Sequence, residues 1–128
     1  MDLVLISTRQ ALLALLGASL VHGACAAGNA AAGQDVFAEQ CSECHSVKEG
    51  KHKKGPSLYA TIGRPAAGVS GFEYSAALKA SGKVWTPEAL DSYIANPKAA
   101  VPGGKMKYDG LADAKARADL LAYLAMLR

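Results

Sequence analysis

Cys41-Ser42-Glu43-Cys44-His45 stands at the junction of two unlike stretches of a 128-residue chain. Upstream, Ala30 to Gln40 has helix-forming composition, with Val36 and Phe37 on one side and Asp35, Glu39 and Gln40 on the other. Downstream, from Cys41 to about Gly71, glycine and proline recur at Gly50, Gly55, Pro56, Gly63, Pro65, Gly68 and Gly71, and neither helical nor strand periodicity persists. An irregular run of that length in a small domain is either disordered or wrapped around something. The apolar residues scattered through it, Leu58, Tyr59, Ile62, Val69 and Phe72, favour wrapping.

Two cysteines separated by two residues and followed directly by histidine suit the covalent capture of haem. Each thiol adds across one vinyl group, and the adjacent imidazole is delivered to the iron. At positions i and i+3 of a helical turn the cysteines share a face toward the porphyrin edge. Three other uses of the motif compete. A zinc site would need Cys41, Cys44 and two histidines, but only His45 and His52 lie in the body of the domain, and adjacent Cys44 and His45 converge poorly on one ion. A thioredoxin-like redox pair calls for a βαβ context that the sequence lacks. A structural disulfide closing so short a loop would stabilise little.

A haem iron that only passes electrons needs a sixth ligand, because an open position invites oxygen or peroxide chemistry. Met106 is the candidate: it sits in a loop opened by Pro102-Gly103-Gly104 and flanked by Lys105 and Lys107, where an apolar side chain has reason to turn inward. A surface methionine is the competing reading. Met126, near the apolar stripe of the last helix, reads as a core filler. His52 is a rival ligand only seven residues from His45, too close to cross easily to the opposite haem face. A thioether is soft and neutral, so it favours Fe(II).

The remainder of the chain predicts an all-α domain. Aromatic residues make up 6% of the sequence and β-branched residues are thin, so strands are poorly supported. A short helix is expected over Tyr74 to Ala80. Thr86-Pro87-Glu88 is a strong helix start, with Leu90, Tyr93 and Ile94 on one face and a stop at Asn96-Pro97. Ala99 to Val101 could add a turn. The last helix is expected from near Asp113 to the end, with Leu120, Leu121, Tyr123, Leu124 and Leu127 as its stripe.

Residues 1–26 read as a cleaved signal peptide, leaving residues 27–128 as one domain. Arg9 supplies charge, weakened by Asp2, and Ala11 to Val21 is an apolar run too short to span a bilayer comfortably. Ala24-Cys25-Ala26 matches an A-x-A cleavage site. An uncleaved anchor is the alternative, and a lipoprotein site is disfavoured by His22. Cleavage removes one acid and one base, so the net charge of +3 belongs to the mature domain. So mild a balance does not argue for nucleic-acid binding. Lys48, Lys51, Lys53 and Lys54 after the cysteines, with Lys105 and Lys107, would form one positive patch for an acidic partner if the fold joins them.

Over Gly28 to Leu127 the chain resembles the class I cytochromes c, of the mitochondrial and bacterial c2 types. The matching segments are CSECHSV, GKHKKGPSL, IGR, YSAAL, the lone tryptophan, the NPK, PG and KM run, and RADLLAYL. The resemblance implies a small helical domain with long loops wrapped around one covalent haem c. It implies thioethers at Cys41 and Cys44, axial ligands His45 and Met106, and Pro56 holding the histidine through its carbonyl oxygen. Arg64, Tyr74 and Trp85 match residues at a buried haem propionate, and Tyr93 matches a tyrosine bonded to the methionine sulfur. Gly33 and Phe37 match the crossing of the first helix over the last at Leu120 and Tyr123, and His52 matches a structural histidine.

Four features depart from the mitochondrial pattern and alter polarity near the haem without touching its ligands. The loop between His45 and His52 is one residue shorter, Leu78 stands where asparagine is common, Gly104 replaces a hydroxyl residue, and Tyr108 replaces a phenylalanine. The implied role is a monomeric periplasmic electron carrier, not an enzyme. It would dock on acidic surfaces of a quinol:cytochrome c reductase and a terminal oxidase or similar acceptor, without stable membrane insertion. Two alternatives stand beside it: a subunit of a periplasmic enzyme complex, or a haem protein that binds peroxide or gases when Met106 dissociates.

Overall fold

Asn29, Ser75, Thr86, Asn96 and Asp113 each accept a hydrogen bond from a backbone N–H one turn on, and a helix begins at each of them. Such caps satisfy donors that the first turn of a helix leaves without partners. In the computed structural model, which describes residues 27–128, the five helices are α1 Ala30–Gln40, α2 Ala76–Ala80, α3 Pro87–Ala95, α4 Pro97–Ala100 and α5 Ala114–Ala125. The expected signal peptide lies outside the described residues. Among those residues no strand forms, and the one bridge is an isolated antiparallel pairing of Pro65 with Val84. The expected all-α class therefore holds.

Several boundaries differ from expectation, each for a local reason. Helix α2 starts at Ala76 instead of Tyr74 because Ser75 is its cap, which leaves Tyr74 buried just outside it. Asn96 ends α3 with its backbone and starts α4 with its side chain, so helix resumes at Pro97 rather than Ala99. Helix α5 stops at Ala125. Met126, expected in the core, is its C-terminal cap and is 70% exposed. Leu120 and Leu124 bury one face of α5 four residues apart, and Met126, two positions further, falls on the far side.

The core is the junction of α1, α3 and α5. Phe37, Trp85, Leu90, Ile94, Leu120 and Leu124 are buried together, and Leu58 and Ile62 from the long loop pack onto them. At the crossing of α1 over α5, a Cβ at Gly33 would overlap the backbone carbonyl of Asp119. Only glycine lets the two helices touch backbone to backbone there. One turn further, the Phe37 and Tyr123 rings meet with centroids 5.8 Å apart.

Two charged residues of α5 tie it to its neighbours. Asp119, buried, accepts from the Asn29 N–H at 2.7 Å and from Lys115 Nζ at 2.7 Å. Those bonds hold its carboxyl below the usual carboxylate range. Arg117 donates from Nε to Asp91 of α3 at 2.8 Å and from a terminal nitrogen to the Leu111 and Ala112 carbonyls. The frame so fixed leaves the segment from Cys41 to Ser75 without helix, draped from the end of α1 to the start of α2.

Candidate cofactor-binding site

The cysteine motif leaves α1 as a tight turn. Cys41 caps the helix through its N–H to the Phe37 carbonyl at 2.9 Å, and both Cys44 and His45 donate back to the Cys41 carbonyl, at 3.1 and 2.9 Å. Cys41 and Cys44 are free thiols, each partly buried. Burial, and next the neighbouring Cys44, pushes the Cys41 thiol up to about 11. It is therefore fully protonated at neutral pH, the opposite of the depressed thiol that a thioredoxin-like nucleophile needs. Among the described residues no three His, Cys, Asp or Glu side chains gather as a metal cage would require.

The imidazole of His45 is held from two directions. Nδ1 lies 2.7 Å from the Pro56 carbonyl oxygen, so it carries the proton and donates it, which leaves the Nε2 lone pair free. Gly55 presses on the ring itself: a Cβ there would run into its Cε1, Nδ1 and Nε2 atoms. Gly55 is in turn anchored by its N–H on the Cys44 carbonyl at 2.8 Å. Burial lowers the His45 pKa and outweighs the Pro56 bond, which raises it, so the ring is neutral and able to ligate. Gly55 was read from sequence only as loop punctuation. Its place directly before Pro56 was the available signal.

Arg64, Tyr74 and Trp85 lie near one another at the far end of the helix-free segment from the cysteines. The Trp85 N–H donates to the Arg64 carbonyl at 2.8 Å, and the Tyr74 hydroxyl accepts from the Val69 N–H at 3.3 Å. Arg64 donates from one terminal nitrogen to the Tyr59 carbonyl at 2.7 Å and from the other to Thr61 Oγ1 at 3.1 Å. Its Nε is buried with no partner in the chain. Burial lowers the Arg64 pKa, against the pull of Tyr74.

Met106 is half-buried in a loop between α4 and α5. With Tyr93, Val101, Gly103 and Gly104 it lines a cavity of about 60 Å³. Tyr93 stacks at a tilt on Trp85, centroids 4.9 Å apart, and burial raises its pKa, so its hydroxyl remains a donor. Tyr108, two residues beyond Met106, donates to Gln40 Oε1 at 3.0 Å and brings this loop beside the end of α1. His52 is fully engaged elsewhere: Nδ1 accepts from the Ser57 N–H at 3.1 Å, which leaves Nε2–H to donate to the Ser70 carbonyl at 3.1 Å.

Lysines border the same region. Lys53 Nζ donates to the Ser42 carbonyl, Lys54 Nζ pairs with Glu43 at 2.8 Å, and Glu73 is held below the usual carboxylate range first by Lys79, its partner at 2.7 Å, and last by Lys105. Lys48, Lys51, Lys105 and Lys107 are all exposed. The loop after the cysteines and the Met106 loop thus both reach the Cys41–Cys44 turn, the first through Lys53 and Lys54, the second through Tyr108.

A helical domain with a Cys-x-x-Cys-His turn at the end of its first helix, and a methionine loop brought back to that turn, is a class I c-type cytochrome. The chain belongs to the cytochrome c family, whose profile, described as Cytochrome c, matches residues 30–128. It is 47% identical over 98 residues to cytochrome c 2.1 of Caenorhabditis briggsae, covering 77% of this chain and 88% of that protein. It is 42% identical over 106 residues to cytochrome c2 of Rhodopila globiformis, covering 83% and 100%. The solved structure of cytochrome cH from Methylobacterium extorquens superimposes with a TM-score of 0.72 at 41% identity, covering 77% of this chain and 99% of that one. Members of this family carry electrons and are not enzymes, and the chain is an electron carrier of that kind.

Haem c is the group that the family implies, and the residues present fit it. A buried guanidinium Nε without a partner costs on the order of 1 to 3 kcal/mol unless something outside the chain bonds to it. A haem propionate is an anion of the right chemistry. A neutral imidazole with a free Nε2, two thiols on one turn and a soft thioether complete the donor set.

Proposed function

We propose that this protein carries single electrons on one haem c joined through Cys41 and Cys44, with His45 and Met106 as axial ligands. The observation that carries this reading is the His45 imidazole, fixed by the Pro56 carbonyl at 2.7 Å and by Gly55 against its face. A ring so held presents Nε2 in one orientation in both redox states, so little rearranges when the charge changes. When bound, haem supplies the Fe(III)/Fe(II) couple.

The chain's own side chains tune and protect that couple. With haem bound, Arg64 would balance the charge of a propionate through its free Nε, and the buried Tyr74 and Trp85 would help to keep water from that region. Tyr93, whose hydroxyl burial keeps protonated, lines the cavity that it shares with Met106. The exposed lysines around the Cys41–Cys44 turn fit acidic surfaces of a reductase and an oxidase met in the periplasm, where a cleaved signal at residues 1–26 would deliver the protein.

One redox titration tests the ligand assignment. Met106→Ala should lower the midpoint potential and abolish the far-red sulfur-to-iron absorption band of the ferric protein. An unchanged potential with the band intact would refute Met106 as ligand.

A further inference from the structure

We propose that the hydrogen bond from Tyr108 to Gln40 is a latch that keeps the Met106 loop closed, so that these two side chains set how fast an outside ligand replaces Met106 on the iron. This deepens, and rests on, the reading of Met106 as axial ligand.

Little else fastens the loop. Its flanks are tied by backbone bonds, Gly104 N–H to the Val101 carbonyl at 3.0 Å and Leu111 N–H to the Ile94 carbonyl at 2.9 Å. Between them, among the described residues, residues 105–110 make no backbone–backbone hydrogen bond. A segment without a backbone ladder opens at low cost unless side chains hold it. Lys98 pairs with Asp109 at 2.7 Å, but these side chains are 69% and 96% exposed, and such a pair contributes little. It also joins the loop only to α4, from which the loop springs.

The Tyr108 bond reaches elsewhere. It spans 68 positions of sequence to the last residue of α1, directly before Cys41; the bond faces solvent, with Gln40 exposed and Tyr108 partly buried, so what sets it apart from the Lys98–Asp109 pair is the element it reaches and not its burial. Helix α1 is itself immobilised against α5 at Gly33 and Phe37. The bond therefore joins the methionine side of the site to the thioether side through a fixed helix. Breaking it leaves the Met106 loop held, apart from Met106 itself and the exposed Lys98–Asp109 pair, only at its two ends. In the exchange that follows, the incoming ligand's lone pair replaces the thioether's on iron, with no electron transferred.

The test uses the ferric holoprotein mixed with imidazole, whose uptake is followed by absorbance. Tyr108→Phe keeps the ring and removes the donor, and Gln40→Ala removes the acceptor. Each should speed the limiting rate by about three- to tenfold, the range one net hydrogen bond allows. The double variant should be no faster than either single one, because both delete the same bond. Gln40→Glu, which keeps an acceptor oxygen, should stay near the wild-type rate. Met106→Ala should take up imidazole without any opening step. Single variants at the wild-type rate, or a double variant in which two effects multiply, would overturn the latch. If Met106→Ala bound imidazole no faster than wild type and kept its potential, the ligand assignment itself would fall, a result distinct from failure of the latch alone.

Discussion

Gly33 of α1 and Asp119 of α5 meet backbone to backbone, the glycine's missing side chain leaving room for the other's carbonyl. No other residue fits there without parting the helices. Gly33→Ala should therefore cost roughly 2 to 3 kcal/mol, as overpacking of a close crossing does, despite alanine's better helix propensity. Denaturant unfolding of the holoprotein measures it, and a neutral or stabilising result would show that the crossing can yield.

Asp119 also predicts a pH dependence. Its carboxyl is held below the ordinary range, first by the Asn29 N–H and then by Lys115. A carboxylate with a depressed folded-state pKa stabilises above its unfolded value, near about 4, and loses that contribution as pH falls through the folded value. The stability gap between wild type and Asp119→Asn should be present at neutral pH and shrink under acid. A gap constant from neutral to strongly acidic pH would mean that the ionised form contributes nothing.

The two faces of α5 separate cleanly. Leu120→Ala should cost about 2 to 5 kcal/mol, since Leu120 is 1% exposed and its removal leaves a cavity in the core. Met126→Ala should change stability by less than about 0.5 kcal/mol. Parallel denaturant melts of the two variants decide this, and comparable losses would put Met126 back in the core.

Gly55→Ala places a methyl group against the His45 ring. The ring must tilt or the Pro56 bond must lengthen. The low-spin electron paramagnetic resonance of the ferric protein should shift, and the thermal midpoint should fall. Lys54→Ala, next door but exposed, should do neither. Identical spectra for Gly55→Ala and wild type would show that the glycine does not orient the ligand.

If the lysines around the Cys41–Cys44 turn guide docking, Lys51→Gln and Lys105→Gln should slow reduction by an acidic redox partner. They should also flatten its dependence on ionic strength, because exposed charges act within about 10 Å at moderate salt. Stopped-flow rates across a salt series measure both effects, and an unaltered slope would remove these lysines from the docking surface.

Sequence signals that act within one turn were legible. Thr86-Pro87 marked the start of α3, and the Cys41 to His45 spacing marked the turn. The methionine loop and the wrapped segment followed from glycine and proline punctuation. Signals that depend on which faces meet were not. Met126 looks like its buried neighbours until the angle between α5 and α1 is known. Asp119 reads as a surface acid, and only the docking of Asn29 gives it a reason to be buried. Gln40 reads only as part of the polar side of α1, because its partner Tyr108 lies 68 residues away. Asn96 serving two helices at once is a local effect, yet one residue rarely does both, which hid the early start of α4.

Among the described residues, the pairing of α1 with α5 joins the first and last helices in chain order. A helix of 11 residues is marginal by itself in water, so α1 cannot settle before α5 has emerged from the ribosome. If haem is joined through Cys41 and Cys44 as proposed, the Cys41–His45 turn is open to that chemistry for as long as the chain is unfolded. Closure by a contact of that sequence separation is slow, which would give such ligation a head start over folding.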